Sequence, residues 1–347
     1  MKKAQVWLGL GISALFLYLA FRKSDWGQIW SLVRETDFIW ILAALPLLFL
    51  AFWLRAFRWR YLLLPTGRPS MHSLFGAMMI GYMSLNLLPF RLGEFIRAYV
   101  LGRREGLPKT SVFATVVIER VFDGFCVLAL LLIALFSQPK ALGDEVMVWV
   151  RAFSYLATAI FAAAILFMIL TKVKTGLIIR LVEIVLKPFP RMQKTAGRLV
   201  RSFAAGLDAL SDFRLLLIIL VLSVLVWLAT AAFYWVAMFG FNQTSGINAG
   251  LVVGPLGSLF VLSAIALGIM LPSSPGFVGT FELACITAMT ALGVEKPCAE
   301  TYAVVIHAVQ FIPVTLAGII YLYVQNFSFR EIRAGGEAAQ AELERPD

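Results

Sequence analysis

Three stretches of this 347-residue chain carry residues with chemistry to offer. In "NLLPFRLGEFIRAYV", Arg91, Glu94 and Arg97 follow one another at intervals of three. In "ATVVIERVFDG", Glu119, Arg120 and Asp123 are spaced so that Glu119 and Asp123 share a helix face and Arg120 reaches Asp123. In "LPSSPGFVGTFE", Glu282 follows a break rich in Pro and Gly. Arginine grips phosphate or carboxylate oxygens with a planar fork and keeps its charge in a low dielectric. A helix starting near Gly93 aims free N–H groups at the preceding break, a further preference for anions. Together these residues suit a polar pocket in which arginines receive an anionic head group and carboxylates balance them when it is gone.

Other chemistries have less to stand on. There is no G-x-S-x-G, H-E-x-x-H or P-loop, so no catalytic residue, metal ligand or cofactor is expected. His72 lies near an interface, and His307, inside an apolar segment, reads as a helix–helix hydrogen bond. Cys126, Cys285 and Cys298 read as free thiols. The bland reading of the charged residues is a salt-bridge network that staples helices. Buried ion pairs stabilise poorly beside apolar packing, so such a staple is a costly solution. A carrier of small anions, coupled to protons or ions, is compatible with the same residues, as is a non-transporting partner of a lipid-modifying enzyme.

The elements that must position these residues are membrane helices. The chain is 61% hydrophobic and 14% charged, with a mean hydropathy of +0.86. A soluble protein of this size needs about a quarter of its residues charged. About six segments are apolar and long enough to span: 4–21, 38–54, 111–136, 147–170, 215–239 and 301–324. Regions 71–108 and 249–297 instead read as an apolar run, a Pro/Gly break and a second run. Polar backbone freed at such breaks is tolerated in a bilayer only under cover of protein or a wet cavity. The expected fold is therefore an all-α polytopic membrane protein with two opposed re-entrant hairpins, eight to ten helical segments in all, resembling an inverted repeat. The arm 249–271 is also long enough to cross fully. Glu119, Arg120 and Asp123 would sit roughly 12–18 Å along their span, and Glu282 would join them from the second hairpin.

The formal net charge of +10 falls mostly in short loops, which fits orientation and anionic lipid better than nucleic acid. With both termini cytoplasmic, the basic residues at 2–3, 55–68, 103–109 and 172–214 share the cytoplasmic side. Trp59 and Tyr61, beside Arg58 and Arg60, read as an interfacial anchor. The basic N-terminus followed by an apolar run reads as an uncleaved first helix. Within the connector 172–214, Leu199, Phe203, Gly206 or Leu207, and Leu210 fall at helical spacing. Residues 1–330 form one membrane domain on this reading, and the small, polar tail 331–347 is expected to be disordered.

"GYMSLNLLPFRLGEFIRAYVLGRREG", "ATVVIERVFDG" and "LPSSPGFVGTFE" resemble the lysylphosphatidylglycerol synthase transmembrane-region family, also called flippase-like domain proteins. The likeness covers roughly 4–325. Its signature falls on Asn86, Pro89, Arg91, Gly93, Glu94, Arg97, Glu119, Arg120, Asp123, Pro275, Gly276, Gly279, Thr280 and Glu282. The resemblance implies translocation of a lipid or lipid-linked head group across the cytoplasmic membrane, with anionic phospholipid or a polyprenyl-linked lipid as partner. The polar members of that set, with Gly276 and Gly279, are then the expected substrate-binding residues. The bifunctional relative also carries an aminoacyl-transfer domain; none is apparent here, so aminoacyl transfer is not expected of this chain.

Overall fold

The computed structural model describes residues 2–89, 91–137, 174–185, 212–271 and 273–344, with isolated positions 159, 163 and 170. Its helices are α1 (Lys2–Phe21), α2 (Trp26–Glu35), α3 (Phe38–Leu62), α4 (Met71–Leu87), α5 (Leu92–Glu105) and α6 (Lys109–Ser137). They continue with α7 (Thr175–Val185), α8 (Phe213–Met238), α9 (Ala249–Gly268), α10 (Thr280–Ala291), α11 (Lys296–Val324) and α12 (Phe329–Glu344). The fold is all-α and polytopic. Among the described residues, α3, α8, α9 and α11 are long and apolar enough to cross a membrane. On α8, Leu217, Leu220, Val221, Val224 and Leu228 are exposed, an apolar outward stripe that suits hydrocarbon rather than water.

The chain divides into two compact units. The first comprises Met1–Ala51, Cys126–Ala157 and Leu225–Pro313. Asp25 caps α2, accepting from the N–H groups of Gly27 and Gln28. Asn248 caps α9, accepting from Gly250, and its own amide is held by the carbonyl of Phe239. After α9 the chain turns through a short 3₁₀ segment, Pro275–Phe277, with Gly276 at φ 74° and Gly279 at φ 91°. Those angles favour glycine, and Gly279 also lies where a Cβ would meet the Ser13 carbonyl oxygen at 2.5 Å. Ser274 N–H donates to Ser13 Oγ at 2.7 Å, so α1 docks directly on the break.

The second unit comprises Phe52–Phe125, Thr158–Val224 and Val314–Asp347. Helices α4 and α5 pack as an antiparallel pair around Leu88–Arg91. Their backbones touch: a Cβ on Gly93 would lie 2.2 Å from the Gly81 carbonyl oxygen. Ser70 caps α4. Arg91, which precedes α5, is left-handed at φ 52°, an uncommon conformation for a residue with a side chain.

Three features differ from the sequence expectations. Helix α3 runs to Leu62 rather than ending near 54, because Arg55 and Arg58 are buried against carboxylates instead of marking an interface. The segment after α1, to which the sequence reading assigned no element, holds α2. The tail is helical to Glu344 rather than disordered: Gly335 and Gly336 let α12 lie against Tyr99 and Ile96 of α5. The span at 147–170 and most of the connector 172–214, including its spaced apolar positions, lie outside the described residues.

Candidate functional site

Helix α3 brings Arg55 and Arg58 to one face, three residues apart, and α6 brings Glu119 and Asp123, four apart, against them. Arg58 Nη1 donates to Asp123 Oδ1 at 2.8 Å and to Ser223 Oγ on α8 at 2.8 Å. Its Nη2 lies 3.2 Å from Glu119 Oε1. Arg55 Nη1 reaches Asp123 Oδ2 at 3.3 Å. From α5, Arg97 takes Glu119 with both terminal nitrogens, Nη2 to Oε2 and Nη1 to Oε1 at 3.4 Å. Its guanidinium carbon stands 4.1 Å from the centroid of the Trp59 ring. The Trp59 indole N–H donates to Thr115 Oγ1 at 2.9 Å.

Arg120 closes the array on its open side. It approaches Glu94 at 3.5 Å, Asp123 at 3.6 Å and Glu119 at 3.8 Å, and reaches the Tyr82 hydroxyl at 3.4 Å. Burial grades across the cluster. Arg58 and Glu119 are fully enclosed, and Arg97 and Asp123 nearly so. The side chains of Arg120 and Glu94 remain 34% and 20% exposed. Arg91, exposed on the break, lies within electrostatic reach of both Glu94 and Arg120. Four arginines thus face three carboxylates in the cluster, before Arg91 is added. The N–H at Nε of Arg58 and Arg97 meets no hydrogen-bond acceptor among the described residues, and that of Arg120 has the longer ion-pair contact with Glu94.

Of the sequence-predicted residues, Glu94, Arg97, Glu119, Arg120 and Asp123 come together, with Arg91 at their edge. Asn86 lies on α4 one turn before the break and donates to Thr315 Oγ1 at 2.9 Å. Gly276, Gly279, Thr280 and Glu282 belong to the first unit and have partners there. Glu282 Oε2 accepts from Gly279 N–H at 2.6 Å, and Thr280 Oγ1 donates to the Phe277 carbonyl at 2.9 Å. Glu282 Oε1 and His307 Nδ1 are 2.5 Å apart, with Nε2 of His307 2.8 Å from the Gly276 carbonyl.

Sequence reasoning missed Arg55, Arg58, Trp59, Tyr82 and Ser223. A signal was present for the first three. In "RAFRWRYLLL" the apolar residues continue past the first arginine, so the helix goes on and one of its faces must be buried.

Curated relatives are all distant. Over 92% of this chain it is 26% identical to a protein named Glycosyltransferase AglD from Haloferax volcanii, of which the match covers 54%; the chain spans about half the length of that relative. A UPF0104 membrane protein of Methanothermobacter thermautotrophicus is 23% identical over 84% of this chain and 87% of its own length. Another, from Methanocaldococcus jannaschii, is 28% identical over 44% of this chain and 48% of its own. No solved structure matches. The family model for the lysylphosphatidylglycerol synthase TM region matches residues 6–318, and the chain belongs to that family.

Proposed function

We propose that this protein moves an anionic lipid, or a lipid-linked anionic head group, across the cytoplasmic membrane. The observation that carries this reading is the graded charge cluster of the second unit. Its base is a set of buried ion pairs, its open edge is Arg120, Glu94 and Arg91, and its cations outnumber its anions. An anion arriving at Arg120 would compete with Glu94 for the guanidinium, while Arg97 and Arg58, already committed to Glu119 and Asp123, hold the field in place. Arg91 turns left-handed at the start of α5, with its exposed side chain at the same edge. On this reading the two helix–break–helix pairs enter from opposite leaflets and both termini are cytoplasmic.

The test is translocation of a labelled anionic phospholipid in proteoliposomes. Arg120→Gln and Arg91→Gln should slow outer-leaflet appearance at least about tenfold, the loss of one charge-assisted contact, with unfolding temperatures near wild type. Unchanged rates in correctly inserted variants would remove these residues from the mechanism. A second reading, a non-transporting membrane partner of a lipid-modifying enzyme, draws support from the relative named as a glycosyltransferase. It predicts a cellular phenotype that survives both substitutions.

A further inference from the structure

The first unit holds an ionisable pair that the lipid-binding cluster does not use. His307, on α11, has both ring nitrogens against acceptors: Nδ1 is 2.5 Å from Glu282 Oε1, and Nε2 is 2.8 Å from the Gly276 carbonyl oxygen. A backbone carbonyl only accepts, so Nε2 carries a hydrogen. A carboxylate opposite Nδ1 at that distance also requires a proton between the two atoms. The pair therefore holds one proton beyond the Nε2 hydrogen, whether drawn as imidazolium–carboxylate or as imidazole–carboxylic acid, and in both forms is neutral overall. Glu282's other oxygen is fixed by Gly279 N–H. The ring stacks on Phe281 at 4.4 Å, with Phe311 at its edge.

Glu282 also lines an open-sided cavity of about 460 Å³ in the same unit, walled by Leu17, Tyr18, Phe21 and Trp26, with Arg22 on its rim. A route for proton exchange thus reaches the carboxyl without passing the aromatic faces of His307. The titratable and charged groups that face the pair are Cys285 on α10, which feels Glu282, and Tyr18 and Arg22 from α1 across the cavity.

We infer that Glu282 and His307 together form a binding site for one proton, and that its occupancy sets the conformation of the 274–279 turn. On unloading, the bridging proton passes to water in the cavity as hydronium. A neutral Nε2–H imidazole and a carboxylate remain, with a net charge of −1. Lone pairs on Nδ1 and Oε1 then oppose each other, the two side chains separate, and the Nε2–H bond to Gly276 is lost with them. That bond clamps a turn in which both Gly276 and Phe277 have positive φ, at 74° and 62°. Freed of the clamp, the turn opens. Loading from water reverses each step. The break of the first unit thereby becomes sensitive to the pH on whichever side its cavity opens, a means of coupling to a proton gradient. The inference goes beyond lipid translocation and does not depend on it.

Hydrogen exchange in the full-length protein, in detergent micelles without substrate, tests it directly. The reporters are the amides of Ser274, Phe277 and Gly279, all hydrogen-bonded in the closed turn. Corrected for intrinsic pH dependence, their exchange should accelerate roughly ten- to a hundredfold in one step as the pH is raised. Glu282→Gln should abolish the step and hold the turn closed throughout, since its amide N–H donates to Nδ1 and its oxygen still accepts from Gly279. His307→Phe should leave the turn open at every pH. Wild-type protection that shows no step, or a step that persists in Glu282→Gln, overturns the inference. Either result leaves the lipid reading standing, because no lipid enters the measurement.

Discussion

Arg58 and Asp123 face each other across α3 and α6 at 2.8 Å, the arginine fully enclosed. Arg58 also meets Glu119, and Asp123 also meets Arg55 and Arg120, so this contact links most of the cluster's ion pairs. Removing one partner of a buried pair costs about 3–5 kcal/mol, because the other charge stays buried. Arg58→Ala should therefore lower the unfolding temperature sharply. Arg60→Ala, two residues on and exposed, should change stability by less than about 0.5 kcal/mol. Equal melting of the two variants would mean that Arg58 is not structurally coupled to α6.

Arg97 is shared between a carboxylate and an aromatic face. A lysine in its place keeps the charge but loses the two-pronged grip on Glu119 and the guanidinium's contact over the Trp59 ring. Arg97→Lys should be destabilising despite its conservative look. A double-mutant cycle with Trp59→Leu should return a coupling of about 1–2 kcal/mol, the range for a desolvated cation–π contact. A coupling near zero would leave Trp59 as packing alone.

Outside the membrane helices, Glu295 ties the start of α11 to the loop before α9. Hydrogen bonds from the Thr244 hydroxyl and backbone amide hold its carboxyl below the usual range. A depressed folded value means that the stabilisation is complete at neutral pH and lost on acidification. The stability advantage of wild type over Glu295→Gln should thus be constant above about pH 5 and shrink as pH falls through about 4.3 and below. Because the carboxylate is open to solvent, the advantage is small. Paired thermal melts across that interval measure it, and an advantage that grows in acid would contradict the assignment.

How far these features were legible depended on how unusual each residue was in its setting. Charges at 91–97 and 119–123 stood out because apolar spans exclude them unless they are partnered. Arg55 and Arg58 did not, since an arginine at the end of an apolar run is also what an interface looks like. Only the tertiary pairing with Asp123 distinguishes the two cases. Glu282 was read as a member of the arginine cluster, yet its bonded partners are His307 and Gly279 in the first unit. No local pattern links positions 282 and 307; the contact exists because the turn before α10 directs Glu282 toward α11. The breaks themselves were plain from Pro and Gly. The tail was misjudged from composition, although "SFRE" carried a helix-start signal.

That signal yields its own prediction. Ser328 Oγ accepts from the Glu331 amide at 3.2 Å, and Glu331 Oε2 reaches back to the Ser328 amide at 3.5 Å. Glu331 also pairs with Arg103 on α5. Ser328→Ala should weaken the start of α12 by about 1 kcal/mol, seen as faster hydrogen exchange over 329–334 with the rest of the protein unchanged. A loss of protection spreading through α5 would instead mean that α12 and α5 open as one unit.

The α4–α5 pair turns on Gly93 and Gly81. A Cβ on Gly93 would meet the Gly81 carbonyl oxygen at 2.2 Å and the Leu85 backbone nitrogen at 2.7 Å. Neither is a flexible side-chain end that can move aside. One on Gly81 would meet Arg97 Cβ at 2.8 Å. Either change must push α5 away from α4, and Arg97 and Glu94 ride on α5. Gly93→Ala should therefore cost at least about 1–3 kcal/mol and pull Arg97 off Glu119; on the proposed translocation function it should also abolish transport in the fraction that remains folded. Gly11→Ala, in α1 with nothing within 4 Å of the added carbon, should be neutral or stabilising by up to about 1 kcal/mol. Parallel melts and transport assays on the two variants separate close approach of the helix backbones from a general intolerance of alanine. If Gly93→Ala melts and transports like wild type, the register that places α5 against α6 is not set by this contact.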